Sequence, residues 1–177
     1  MVTSTARIEA SPFMVATLAV ATALVAASLI RFGAGAEAIL AAYFCCVLVV
    51  LSAIDLERRV LPNRIVVPST ILVLAARIAL EPGRAWEWVI AGAGAFAFFY
   101  VIALLYPGGL GLGDVKFAAL LGVGLGAAVV PAFVIGMTAA AVYAITLLLR
   151  DGRKARKATI AYGPFLALGA VIALFVF

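Results

Sequence analysis

Apolar stretches about as long as a bilayer is thick follow one another along this chain, separated by short breaks that hold most of its charge and proline. A helix needs roughly 20 such residues to cross hydrocarbon unaided. The runs fall near residues 12–31, 36–56, 64–80, 86–106, 114–126, 128–150 and 161–177. The run near 114–126 is too short to cross alone. The expected fold is therefore all-α: a polytopic integral membrane helical bundle of about six full spans plus one short helix, forming one domain over residues 1–177. Composition agrees, since 67% of the 177 residues are hydrophobic and 12% charged, with a mean hydropathy of +1.27. A soluble domain of this length has no interior large enough for that much apolar side chain.

The breaks have local causes. Glu81-Pro82-Gly83-Arg84 stops one helix and starts another, because proline cannot continue it and glycine relaxes the turn. Pro62 and Pro68 lie at or near the start of the third run. Pro164 sits in the first turn of the last, where a missing N–H does no harm. Gly122 and Gly126 form a small-xxx-small pair that lets helices approach closely. Trp86 and Trp88 are expected to anchor at a headgroup layer. Phe96, Phe98, Phe99 and Tyr100 are expected to face lipid or pack. Arg7 ahead of the first run has the look of a secretory signal, but Glu9 and the length of the run from Pro12 to Ile30 favour a retained span.

Thirteen Lys and Arg against eight acids is a modest excess, and it is clustered. Arg58, Arg59 and Arg64 share one break, and Arg150, Arg153, Lys154, Arg156 and Lys157 crowd another. By the positive-inside rule both face the cytoplasm, with Arg7, while Arg31 and Arg84 fall outside. The N-terminus is then cytoplasmic and the C-terminus external. Membrane lipids are the implied surroundings. No nucleic-acid partner is expected, because there is no solvated basic face with stacking aromatics.

The chain has no histidine, which removes Ser-His-Asp and Cys-His catalysis and every His-containing metal site. The two cysteines, Cys45 and Cys46, are adjacent within an apolar run and read as small packing residues. No metal or cofactor is expected. A phosphate loop in the glycines from 109 to 113 lacks the Lys-Ser/Thr pair that should follow. A Ser-Lys peptidase using Ser69 or Ser52 with Lys116 has no supporting motif.

Two carboxylates stand out against this background. Asp55 lies in Ser52-Ala53-Ile54-Asp55-Leu56, just before Leu61-Pro62-Asn63, and Asp114 lies in Gly111-Leu112-Gly113-Asp114-Val115-Lys116. Acids at the edge of hydrocarbon are costly and point to function. An even number of crossings separates them, so both emerge on the same face. Asp55 would end a helix, where the dipole disfavours negative charge, and Asp114 would begin one, where it is favoured. Asp114 is thus expected to be ionised more often. If the carboxyls meet they share one proton. Such a pair splits a peptide bond with water alone, one group as base and the other as acid. Gly111 and Gly113 would let a substrate backbone come close.

At these residues the chain resembles the type IV prepilin peptidase family of membrane aspartic proteases. The likeness covers roughly residues 50–170: Asp55 with the downstream Leu61-Pro62-Asn63, the GxGD element at Gly111–Asp114 with Lys116, the Leu121-Gly122 pair, and Tyr162-Gly163-Pro164-Phe165. It implies catalysis by Asp55 and Asp114. Gly111, Gly113, Lys116, Pro62, Asn63, Gly163 and Pro164 are implied as supporting residues. The implied substrate is a prepilin or pseudopilin, cut between its short basic leader and its hydrophobic helix at the cytoplasmic membrane face. Longer members carry an insertion with paired CxxC elements associated with N-methylation. With only Cys45-Cys46, this chain is similar to the short peptidases of tight-adherence (Flp-type) pilus systems. Two other classes stay open on the residues alone: a proton- or cation-coupled transporter built on the same acids, and an inactive secretion scaffold.

Overall fold

The computed structural model describes residues 11–106, 110–151 and 161–177. Each apolar run becomes a helix. Ser11 caps α1 (Pro12–Phe32), its hydroxyl accepting the Met14 N–H at 3.2 Å, as an N-cap serine should. α2 spans Ala36–Arg58 and ends where Arg59 turns left-handed, at φ 54°. α3 (Asn63–Leu80) starts directly after Pro62. A 3-10 turn over Pro82–Arg84 leads into α4 (Ala85–Leu105). α5 is short, Leu112–Leu125, and a second 3-10 turn over Gly126–Ala128 joins it to α6 (Val129–Asp151). α7 closes the order at Gly163–Val176. No strand occurs among the described residues. Arg7, Glu9, Gly109 and the basic residues 153–157 lie outside them.

Five stretches are long and apolar enough to cross a membrane: α1, α2, α3, α4 with its preceding turn, and Leu112–Arg150, which α5 and α6 share. The last run differs from a full span. Its helix begins only at Gly163 and has fourteen residues, the same length as α5. At 1.5 Å per residue each covers about 21 Å, less than the hydrocarbon thickness. α5 is buried along most of its length, and α7 is buried along one face, with Leu168, Ile172 and Val176 exposed on the other. Val115, Phe117, Ala118 and Leu120 to Leu125 of α5 are buried, as are Leu166, Ala167, Ala170 and Ala173 of α7. The outside is apolar instead, with Ile30, Ile71 and Leu104 largely exposed, as in a multi-pass membrane protein.

α5 is the centre of the bundle, packed on α4, α3 and α7. Gly122 permits this. A Cβ there would lie 2.7 Å from the Ala91 carbonyl carbon and 2.7 Å from the Gly92 Cα, so α4 and α5 touch backbone to backbone. Gly126 also permits a close approach of α4, since a Cβ there would stand 2.6 Å from the Trp88 ring and 2.9 Å from Glu87 Oε1. It adopts φ 58° at the end of α5 and lies under the Trp88 ring. Trp88 is no headgroup anchor: it is 4% exposed, with the guanidinium carbons of Arg77 and Arg84 at 4.7 and 4.9 Å from its ring centre. Trp86, at 67% exposed, does face outward. Phe96, Phe98 and Tyr100 are exposed, whereas Phe99 is buried.

The two ends of the bundle differ in charge. At one end Arg84 pairs with Glu81 and Glu87 at 2.7 and 2.9 Å. There Arg77 donates to the Gly124 carbonyl at 2.7 Å, a cation on the last turn of α5. At the other end Arg58, Arg59, Arg64 and Arg150 lie exposed. That second end carries both aspartates.

Candidate active site

Asp55 occupies the last turn of α2 and is 5% exposed, the one buried charged residue among those described. The turn closes behind it, because the Arg59 N–H returns to the Asp55 carbonyl at 2.8 Å. A carboxylate here faces the unfavourable end of its own helix dipole. α7 supplies the compensation. The Gly163 N–H, at the first residue of that helix, donates to Asp55 Oδ2 at 2.9 Å, using a donor that no helical carbonyl can reach. The approach requires glycine: a Cβ at 163 would stand 2.7 Å from Oδ2 and 3.1 Å from Cγ. Pro164 follows at the second helical position, where its lack of an N–H is harmless. The last segment is therefore an integral wall of the site.

Asp114 lies in the first turn of α5 and is half-buried. Its Oδ2 accepts the Gly111 N–H at 3.2 Å, while its own N–H returns to the Gly111 carbonyl at 3.0 Å. This is the carboxylate half of a capping box; glycine has no side chain to supply the other half. Gly113 rests on Leu61, whose Cβ would be 3.1 Å from a Cβ at 113. Lys116 Nζ donates to Asn63 Oδ1 at 3.0 Å. Pro62, at φ −72° and ψ 124°, sets the extended entry that presents Asn63. The start of α5 is thus fastened to the segment that leaves Asp55. The two aspartates come close enough for the charge of one to be felt by the other.

Each carboxylate accepts one backbone N–H, and at Asp55 the Gly163 donor offsets part of the unfavourable helix end. Lys116 engages Asn63, and Ser69 Oγ lies 3.1 Å from the Tyr43 hydroxyl, which leaves no Ser69–Lys116 pair. Cys45 and Cys46 are free thiols, the first fully buried. Among the described residues no group of three or more His, Cys, Asp or Glu side chains is placed to hold a metal ion. Leu61, the floor under Gly113, was not among the expected site residues. Its only signal is its place beside Pro62.

Comparisons with known proteins bear on the same residues. The model of the type IV leader peptidase family matches residues 42–145, a span that holds both aspartates. A prepilin leader peptidase/N-methyltransferase of Bacillus subtilis is 34% identical over 152 residues, covering 85% of this chain and 60% of the relative. One of Burkholderia pseudomallei is 31% identical over 159 residues, covering 86% and 51%. One of Xanthomonas campestris pv. campestris is 29% identical over 158 residues, covering 86% and 55%. The chain therefore spans between half and three-fifths of the length of these relatives. No solved structure matches it significantly. Over most of its described helices, and across both carboxylates, the chain belongs to the type IV leader peptidase family.

Proposed function

We propose that the chain is a membrane aspartic endopeptidase that removes the leader from type IV prepilins or related pseudopilins, with Asp55 and Asp114 as its catalytic pair. The observation that carries this reading is the double fastening of the pair. Asp55 is held by Gly163, and the turn bearing Asp114 is tied to Leu61 and Asn63. A buried carboxylate kept so close to a second one is costly without a task. In the working state the pair holds one proton. The ionised carboxylate takes a proton from water, the resulting hydroxide attacks the scissile carbonyl carbon, and the protonated carboxyl donates to the carbonyl oxygen. The tetrahedral diol then returns a proton to the group that gave one up. The other carboxyl protonates the departing amine as the C–N bond breaks. Gly111, Gly113 and Lys116 line the approach to Asp114; Pro62, Asn63, Gly163 and Pro164 hold the frame.

The basic end of the bundle, with Arg58, Arg59, Arg64 and Arg150, supports a cytoplasmic placement of this site in the inner membrane and a cytoplasmic N-terminus. Of the two activities in the relatives' names, the described residues speak to the first. Co-expression with a tagged Flp-type prepilin is the test. The wild-type chain shortens the prepilin by its leader, whereas Asp55→Asn and Asp114→Asn insert normally and leave it full-length. Processing that survives either change overturns the assignment.

A further inference from the structure

The first helix is joined to the bundle unevenly. Its second half is fixed: Ser28 is fully buried beside Cys45 of α2, and the Phe32 ring lies 6.2 Å from that of Phe175 in α7. Its first half is not. From Pro12 to Val20 every residue is exposed except Thr17, which is partly covered. Between this half of α1 and α7, with α2 as the floor, lies an apolar cleft of about 430 Å³. Its walls include Ala16 and Val20 of α1, Leu168 and Val171 of α7, and Ser52 and Leu56 of α2. The cleft runs from Leu24, Leu48 and Val171 to Phe13, Leu56 and Pro164, the end nearest in sequence to Asp55 and Gly163. Ser52 and Leu56 flank that aspartate in sequence, and Pro164, also on the wall, follows the glycine that holds it.

We propose that this cleft receives the apolar helix of the substrate, the segment directly after the scissile bond, and presents its first residue to Asp55. The inference rests on the peptidase reading and adds where the substrate lies. An acyl chain fits the same walls but carries no bond for the carboxyls to cut. One end of the cleft is lined by Ser52, Leu56 and Pro164, the neighbours of Asp55 and Gly163, which suits an occupant whose reactive bond is at that end. Small and aliphatic wall residues let a helix lie close, as they do between membrane helices. A helix also brings free N–H groups at its first turn. Ser52, on the α2 wall at that end, has a buried hydroxyl with no partner among the described residues. Entry is lateral from the lipid, so α1 needs to move only at its loosely packed half.

Photocrosslinking in the intact membrane tests this. A benzophenone side chain is placed at Val20 or Leu168 in the Asp114→Asn background with a tagged full-length Flp-type prepilin, and at Ile71 and Val101 on the outer surface for comparison. The expected result is prepilin adducts at Val20 and Leu168 that exceed those at Ile71 and Val101 at least tenfold. In the active enzyme, Ala16→Trp should slow processing tenfold or more while Val101→Trp leaves it unchanged. Adducts to lipid alone in the cleft, equal adducts at all four positions, or full activity of Ala16→Trp overturn the docking site while leaving the peptidase reading intact. A wild-type chain that fails to shorten the same prepilin removes both.

Discussion

Gly163→Ala probes the least obvious part of the site. The added methyl carbon would sit 2.7 Å from Asp55 Oδ2, 3.1 Å from Cγ and 3.2 Å from Cβ. Ordinary contact begins at 3.4 Å, so the carboxyl or the start of α7 must retreat by about 0.7 Å, somewhat more than the ~0.5 Å tolerance of a catalytic constellation. A misplacement of about 1 Å costs on the order of a hundredfold in rate. Two-thirds of it should cost roughly twentyfold, or about 1.8 kcal/mol of barrier, and more if the 2.9 Å Gly163 hydrogen bond is lost as well. The assay is initial-rate leader cleavage by purified enzyme in detergent, with thermal unfolding measured alongside. The matched control is Gly94→Ala, where a Cβ meets nothing within 4 Å. The expected outcome is a ten- to hundredfold loss for Gly163→Ala and none for Gly94→Ala, with similar melting temperatures. Wild-type activity in Gly163→Ala would refute the claim that α7 sets the position of Asp55.

Other consequences are quicker to state. Asn63→Ala and Lys116→Ala each remove one partner of an exposed 3.0 Å hydrogen bond. Each should slow cleavage only a few-fold, and the double variant should be no worse than either single one, as a coupled pair requires. Gly122→Ala drives a methyl group into the Ala91–Gly92 backbone. It should destabilise the bundle by about 1–3 kcal/mol, read as a lower melting temperature in detergent. The pH–rate profile should be bell-shaped. Activity falls in acid as the base becomes protonated and falls in alkali as the acid loses its proton. A single-limbed profile would rule out a shared-proton pair.

The extent of each helix was legible because hydrocarbon thickness sets a length and proline or glycine sets an end. Glu81-Pro82-Gly83 and Tyr162-Gly163-Pro164 mark their boundaries by chemistry alone. The common face of Asp55 and Asp114 followed from counting crossings. The Gly163–Asp55 hydrogen bond joins residues 108 apart, and only the packing of α2 against α7 creates it. The Arg77–Gly124 bond and the burial of Trp88 were hidden for the same reason. A tryptophan near a membrane boundary looks alike in sequence whether it meets lipid or, as here, two arginines. Gly126 shows a related limit, since the same residue serves a close helix contact and a left-handed turn. Spacing shows only the first.

The central claim is that the two aspartates act as one unit. Rates of leader cleavage by Asp55→Asn, Asp114→Asn and the double variant measure this directly. The pair predicts that each single change drops cleavage to background and that the double change lowers it no further. Measurable turnover in either single variant, or losses that multiply in the double, would contradict it.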